Sequence, residues 1–283
     1  MKIIRDFEKP LSLTNDGQLQ VFFLGVGSAF AQKNNQLNLL LIKGDKHVLV
    51  DFGMTGPRAL AETAGLKPTD IDVLLPTHSH ADHIGGIECL ALMNRYVGMP
   101  YMNKDKLKMI INENYQQVLW THSLQGGLEY NEKDINTAQK LSFSDFFDVI
   151  RPTWKMMQPR EIYEVLYDDL KIEIFRTNHI PEQSKKWETS FISYGLFVDD
   201  HVFISMDTKF DQQLIDNYAH RSSVMFHDVQ FFPGAVHAYL EELKELPTNI
   251  KKKMYLMHYA DNYDEQDISG FAGWTEQGVI YEF

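Results

Sequence analysis

The chain reads as an α/β protein in which two β-sheets pack face to face beneath outer helices, a four-layer αββα sandwich. Three observations predict this. Its 283 residues are 44% hydrophobic and 23% charged, enough apolar side chain for a sizeable core and too much for a disordered chain. Clusters of strand-like runs followed by helix-like segments occur twice, once in each half. No Pro-, Gly- or Ser-rich linker separates the halves, so residues 1–283 are expected to form one domain.

The first half opens with apolar runs at residues 20–24, 37–42 and 47–50, the last two flanking Lys43-Gly44-Asp45-Lys46 as a hairpin. Pro57 sits where a first helical turn tolerates proline, residues 58–64 have helical composition, and Gly65 stands where helices stop. Another apolar run, residues 71–75, leads through Pro76 into the most histidine-dense part of the chain. Residues 84–97 read as the helix that follows. Residues 103–140 change character: a helix through Leu107, Ile110, Ile111, Asn114, Tyr115 and Val118, then a polar stretch with Gly126-Gly127, marks a partly helical insertion. In the second half, residues 170–176 read as a strand, and residues 191–198 pair across Asp199-Asp200 with residues 202–206.

Charge and cysteine content exclude several classes of function. The 27 Lys+Arg against 39 Asp+Glu give a net charge of −12, which repels a long DNA or RNA partner. Cys89 stands alone, so no internal disulfide forms, and the opening residues carry charges where a signal peptide needs an apolar run. No stretch approaches the roughly twenty apolar residues that cross a bilayer. The expectation is a cytoplasmic protein without membrane attachment.

His78, His80, Asp82 and His83 stand at i, i+2, i+4 and i+5 directly after the fourth apolar run. Alternate residues leaving a strand point the same way. His78 and His80 are therefore placed to share one metal, while the turn carries Asp82 and His83 to a second.

The segment Thr77-His78-Ser79-His80-Ala81-Asp82-His83 resembles the signature of the metallo-β-lactamase fold superfamily, whose fold is the αββα sandwich. That resemblance implies roles for separated positions. Asp51, in Val50-Asp51-Phe52-Gly53, matches the early aspartate that supports the ligand loop without binding metal. His179, Asp207 and His258 match the third-motif histidine, the bridging aspartate and the last histidine. By the same resemblance one Zn2+ takes His78, His80, His179 and the shared Asp207, and a second takes Asp82, His83, Asp207 and His258. Mn2+ is the alternative metal. Asp82 counts among the catalytic groups as well.

Asp207 stands where β-lactamases of the best-known subclass use cysteine, which argues against antibiotic hydrolysis and toward attack at phosphorus. Met225-Phe226-His227-Asp228-Val229-Gln230 resembles the His-Glu-Ala-Thr motif of ribonuclease Z, which implies His227 as proton donor and Asp228 as its orienting partner. Against a tRNA substrate stand the acidic balance and the interval from His179 to Asp207, which one hairpin almost fills and which leaves no room for that family's tRNA-binding arm.

An armless ribonuclease Z-like site that opens near Phe23-Leu24-Gly25-Val26-Gly27-Ser28-Ala29-Phe30 and carries the insertion resembles the anti-Pycsar family of phages and their bacterial relatives. The resemblance implies a phosphodiesterase that opens cyclic UMP, CMP, AMP and GMP to linear nucleotides by a metal-bridging hydroxide, in the host cytoplasm if phage-encoded. It also implies a homodimer. An amphipathic stretch with Ile110, Ile111, Tyr115, Val118, Leu119 and Trp120 would supply the interface, and residues 121–127 a lid over its own or the partner's site. With 12% aromatic residues, base recognition is expected through stacking. The alternatives are a ribonuclease Z-like RNA endonuclease and a non-catalytic nucleotide-sequestering protein. All seven ligand positions are filled, which weighs against the latter.

Overall fold

The computed structural model describes residues 1–132 and 140–283, so residues 133–139 of the expected insertion lie outside the described residues. Met1–Leu24, Asn38–Pro152 and Ile280–Phe283 make one compact unit, and Gly25–Leu37 with Thr153–Val279 make another. The strands among the described residues are β1 (Lys2–Ile4), β2 (Gln20–Gly25), β3 (Asn38–Lys43), β4 (Lys46–Val50), β5 (Val73–Leu75), β6 (Leu107–Ile110), β7 (Phe147–Ile150) and β8 (Thr153–Met156). They continue as β9 (Ile162–Tyr167), β10 (Leu170–Arg176), β11 (Tyr194–Val198), β12 (Val202–Ile204), β13 (Val224–Asp228), β14 (Met254–Met257), β15 (Gly273–Trp274) and β16 (Ile280–Glu282). They form two eight-stranded mixed sheets, ordered β1-β16-β2-β3-β4-β5-β6-β7 and β15-β14-β13-β12-β11-β10-β9-β8.

In the first sheet the unbroken apolar runs Val21-Phe22-Phe23-Leu24 and Leu39-Leu40-Leu41-Ile42 are fully buried, as expected of strands covered on both faces. The β3–β4 hairpin pairs Leu39 with Val50 and Leu41 with Val48, and its turn places Gly44 at φ 56°, a left-handed conformation that glycine adopts at little cost. β5 then lies parallel to β4, with Leu49 opposite Leu74. The carboxyl ends of β4 and β5 are thus neighbours, and the Asp51 amide donates to the Leu75 carbonyl at 3.0 Å.

The helix expected to run from Leu107 begins only at Glu113. Leu107, Lys108, Met109 and Ile110 instead form β6, parallel to β5 on one side and β7 on the other. An apolar run this short satisfies either period, and the ladder decides. Asn112 ends the strand and caps the helix Glu113–Leu119 by accepting from the Tyr115 amide at 2.9 Å. Ile110, Ile111, Tyr115 and Leu119 are buried within this unit, and Trp120 meets Phe143 edge-on at 6.0 Å. The apolar surplus that pointed to an interface is therefore largely spent inside the chain. Gln125–Leu128 forms a helical turn rather than an open lid loop.

In the second sheet β8 to β12 are antiparallel and β12 to β15 are parallel. β10 and β12 both oppose β11, so β10, β12, β13 and β14 all point their carboxyl ends the same way. That end of the sheet carries His179, Asp207, Asp228 and His258. Mixed α/β sheets place ligands outside the carboxyl ends of their strands. Among the described residues no helix is long and apolar enough to cross a membrane.

Candidate metal centre

In the first unit the loop from Thr77 to His83 is built around Asp51. That carboxylate, fully buried, accepts from the Thr77 amide and the Thr77 hydroxyl, each at 2.7 Å, and from His83 Nδ1 at 2.7 Å. Thr77 Oγ1 spends its proton on Asp51, so it accepts from His78 Nδ1 at 3.2 Å. These bonds set the tautomers. Nε2 of both His78 and His83 is left as a lone-pair donor, the form a metal requires. His78 Nε2 lies 3.1 Å from His80 Nδ1, and His83 Nε2 lies 3.3 Å from Asp82 Oδ2. Burial pushes the Asp51 carboxyl above the ordinary carboxylate range, against the pull of His83 and Thr77.

Backbone geometry holds this loop in place. Asp51 itself has φ 58°, a left-handed conformation uncommon outside glycine, and the Phe52 amide and carbonyl bond to the His83 carbonyl and the Gly86 amide, each at 2.7 Å. A Cβ on Gly86 would lie 2.6 Å from the Gly53 carbonyl oxygen, so this close approach needs glycine.

In the second unit Asp207 follows β12 through Met206, another left-handed residue at φ 47°, and its carbonyl accepts from Thr177 Oγ1 at 2.9 Å. Its two carboxylate oxygens divide between two histidines. Oδ2 lies 3.6 Å from His179 Nε2, and Oδ1 lies 3.6 Å from His258 Nε2. The outer nitrogen of each ring is engaged elsewhere: His179 Nδ1 donates to the Val236 carbonyl at 2.8 Å, and His258 Nδ1 lies 3.4 Å from Asp228 Oδ1. His258 too is left-handed, at φ 60°.

Asp228 binds a histidine other than its sequence neighbour. His237 Nδ1 donates to Asp228 Oδ2 at 2.7 Å, and the Thr208 amide donates to the same oxygen at 3.0 Å. Burial alone would push the Asp228 carboxyl up, but His237 and His258 beside it hold it below the usual range. His227 takes no part. It is fully buried, its Nδ1 donates to the Asp228 backbone carbonyl at 2.8 Å, and its ring lies along Phe203 at 6.2 Å. Successive residues of a strand point to opposite faces, so the Asp228 carboxylate and the His227 ring cannot share one. The expected pairing of His227 with Asp228 is thus replaced by His237 with Asp228.

Both clusters fit a divalent ion. Two donors on a tetrahedral zinc, each about 2.1 Å from it, sit about 3.4 Å apart. The two contacts of Asp207, at 3.6 Å each, and that between His83 and Asp82, at 3.3 Å, match such an edge better than a hydrogen bond. A buried carboxylate such as that of Asp207 costs several kcal/mol unless cationic charge compensates, which a metal supplies.

The family sequence profile for anti-Pycsar protein Apyc1 matches residues 19–281. The chain belongs to the anti-Pycsar Apyc1 family. An anti-Pycsar protein Apyc1 of Bacillus phage BSP38 is 35% identical over 252 residues, covering 87% of this chain and 91% of the relative. Another, from Paenibacillus xerothermodurans, is 36% identical over 272 residues, covering 94% and 98%. Among solved structures, the metallo-β-lactamase fold protein YhfI from Bacillus subtilis superposes with a TM-score of 0.67 at 17% identity, over 94% of this chain and 100% of that one. The α/β fold with two mixed sheets is the metallo-β-lactamase fold.

For this anti-Pycsar protein the support role of Asp51 carries a direct expectation. Asp51→Ala would free the His83 ring and unpin Thr77, and loss of such an orienting carboxylate lowers metal affinity roughly 10–100-fold. Competitive chelator titration measures it. Wild-type affinity in the variant would remove the support role.

Proposed function

We propose that the chain is a two-metal phosphodiesterase that opens 3′,5′-cyclic mononucleotides, pyrimidine and purine alike, to linear nucleotides in a host cytoplasm. The observation that carries this is the division of the Asp207 carboxylate between His179 and His258, the arrangement of a carboxylate shared by two ions. The proposed ligand sets are those the sequence resemblance implies: His78, His80, His179 and Asp207 for one ion, Asp82, His83, Asp207 and His258 for the other. Zinc suits these nitrogen and oxygen donors, with manganese as the alternative. When bound, two such ions supply a water of lowered pKa and stabilise the attacking and leaving oxygens of an in-line displacement. Asp82, beside His83, is both ligand and catalytic group.

Asp228 orients His237 through Nδ1, which leaves Nε2 as the nitrogen able to deliver a proton to the departing ester oxygen as the phosphorus–oxygen bond breaks. The imidazole is part-exposed, with 20% of its side chain accessible, as a proton-exchanging group needs to be. An RNA substrate is disfavoured by the second unit itself: between His179 and Asp207 the chain forms one helical turn, Trp187–Thr189, and the β11–β12 hairpin. A net charge of −12 disfavours it too.

Hydrolysis of cyclic UMP, CMP, AMP and GMP and of a model pre-tRNA, with and without chelator, tests the reading. Chelator-sensitive opening of the cyclic nucleotides is expected. Cleavage of the pre-tRNA alone, or nucleotide binding without turnover, would replace it. The homodimer rests on family resemblance, and light scattering should return twice the 32.9 kDa chain mass.

A further inference from the structure

We infer that a cavity in the second unit, beside His237 and His258, seats the nucleobase, and that Phe232 and Phe30 are its stacking surfaces. This rests on the cyclic-nucleotide reading above. The cavity measures about 780 Å³, within the range of small-ligand sites. His237 and His258 form part of its wall, so it is continuous with the cluster that would hold the phosphate. Away from those histidines its lining is mostly apolar and includes Phe30, Phe231, Phe232 and Val236.

The two rings stand open although their loops are tied down. Phe30 is 92% exposed and Phe232 57%. Neither has a ring partner among the described residues, whereas Phe231 packs edge-on against Trp274 at 5.9 Å. Below Phe30, the Ser28 amide donates to the Tyr259 carbonyl at 3.1 Å, and the Gln32 and Lys33 amides donate to Asp261 Oδ1 at 2.9 and 2.8 Å. A Cβ on Gly27 would fall 2.7 Å from that of Ala31, so this loop closes tightly upon itself. Below Phe232, the buried Gln230 side chain donates through Nε2 to the Phe232 carbonyl at 2.8 Å and to that of Gly234, and the Ala235 amide donates to Glu182 Oε1 at 3.2 Å. Exposed phenylalanine on a braced loop gains by covering its face, and an aromatic base offers the matching surface.

The charges assign the two ends of the ligand. Among the described residues no lysine or arginine lines the cavity, so the phosphate lies at the histidine end. The acidic group in the lining, Asp261, has its carboxylate engaged by the two loop amides. Stacking works on every base because each has a π-face, so the site accepts pyrimidines and purines, with the larger purine ring gaining more.

Steady-state kinetics of Phe232→Ala and Phe30→Ala test this, using the four cyclic nucleotides and a base-free methyl riboside 3′,5′-cyclic phosphate. Loss of a stacking ring is expected to raise KM for the nucleotides about 10- to 100-fold, most for cyclic AMP and GMP, with the loss in KM rather than kcat. The penalty should exceed that for the base-free substrate at least tenfold, and Phe232→Tyr should restore affinity. Wild-type KM in both variants, or an equal penalty on the base-free substrate, overturns the assignment. Calorimetric titration with linear nucleoside monophosphates tests the same rings without turnover. A wild type inert to cyclic nucleotides, yet losing monophosphate affinity when the rings go, would overturn the activity and leave the base site standing.

Discussion

Asp207→Asn is expected to abolish turnover, by roughly 10³-fold or more, with the chain still folded. The side chain is fully buried, and both of its oxygens face histidine nitrogens across the distance of a ligand edge. The amide keeps the shape and removes the negative charge that both proposed ions would share. Losing the metal removes several kcal/mol of transition-state stabilisation, and each 1.36 kcal/mol is tenfold in rate. The fold should persist, because the backbone here is held independently: the Asp207 carbonyl accepts from Thr177 Oγ1, and the Thr208 amide donates to Asp228. Metal analysis should return fewer than two ions per chain, with a circular dichroism spectrum close to wild type. A variant with a full metal complement and turnover within tenfold of wild type would remove Asp207 from the ligand set.

What the sequence disclosed follows from which physical rules act locally. The β3–β4 hairpin was legible because a Gly-Asp turn between apolar runs sets its own register. The loop from Thr77 to His83 was legible because its donor types are dense and contiguous. β6 was not, because Leu107, Met109 and Ile110 fit a helical face or a strand equally well, and only the parallel partners β5 and β7 choose between them. His237 was missed for a related reason: adjacency in sequence made His227 the partner of Asp228. The strand's alternation forbids that pairing, and the signal that could have found His237 is that Asp228 must be met from another segment. In that region the first histidine downstream of it is His237, in Gly234-Ala235-Val236-His237.

His237→Ala is expected to lower kcat by about 10²–10⁴-fold while retaining metal, the range of a lost general acid. Its Nδ1 is fixed by Asp228 at 2.7 Å and lies 3.9 Å from Asp207 Oδ2, so the ring adjoins the metal cluster without being one of the proposed ligands. His227→Ala is expected to do the opposite, leaving kcat within a few-fold and destabilising the fold by about 1–3 kcal/mol, because a fully buried ring beside Phe203 is removed. Burial holds the His227 imidazole below its ordinary pKa of 6.5. As pH falls below that value the unfolded chain takes up a proton that the folded chain refuses, so stability contributed at neutral pH declines from pH 6.5 toward the folded pKa. His227→Phe should make that acid limb of the stability curve shallower, and denaturant titrations from pH 7 downward measure it. Wild-type kcat in metal-loaded His237→Ala, beside a hundredfold loss in metal-loaded His227→Ala, would return the acid role to His227.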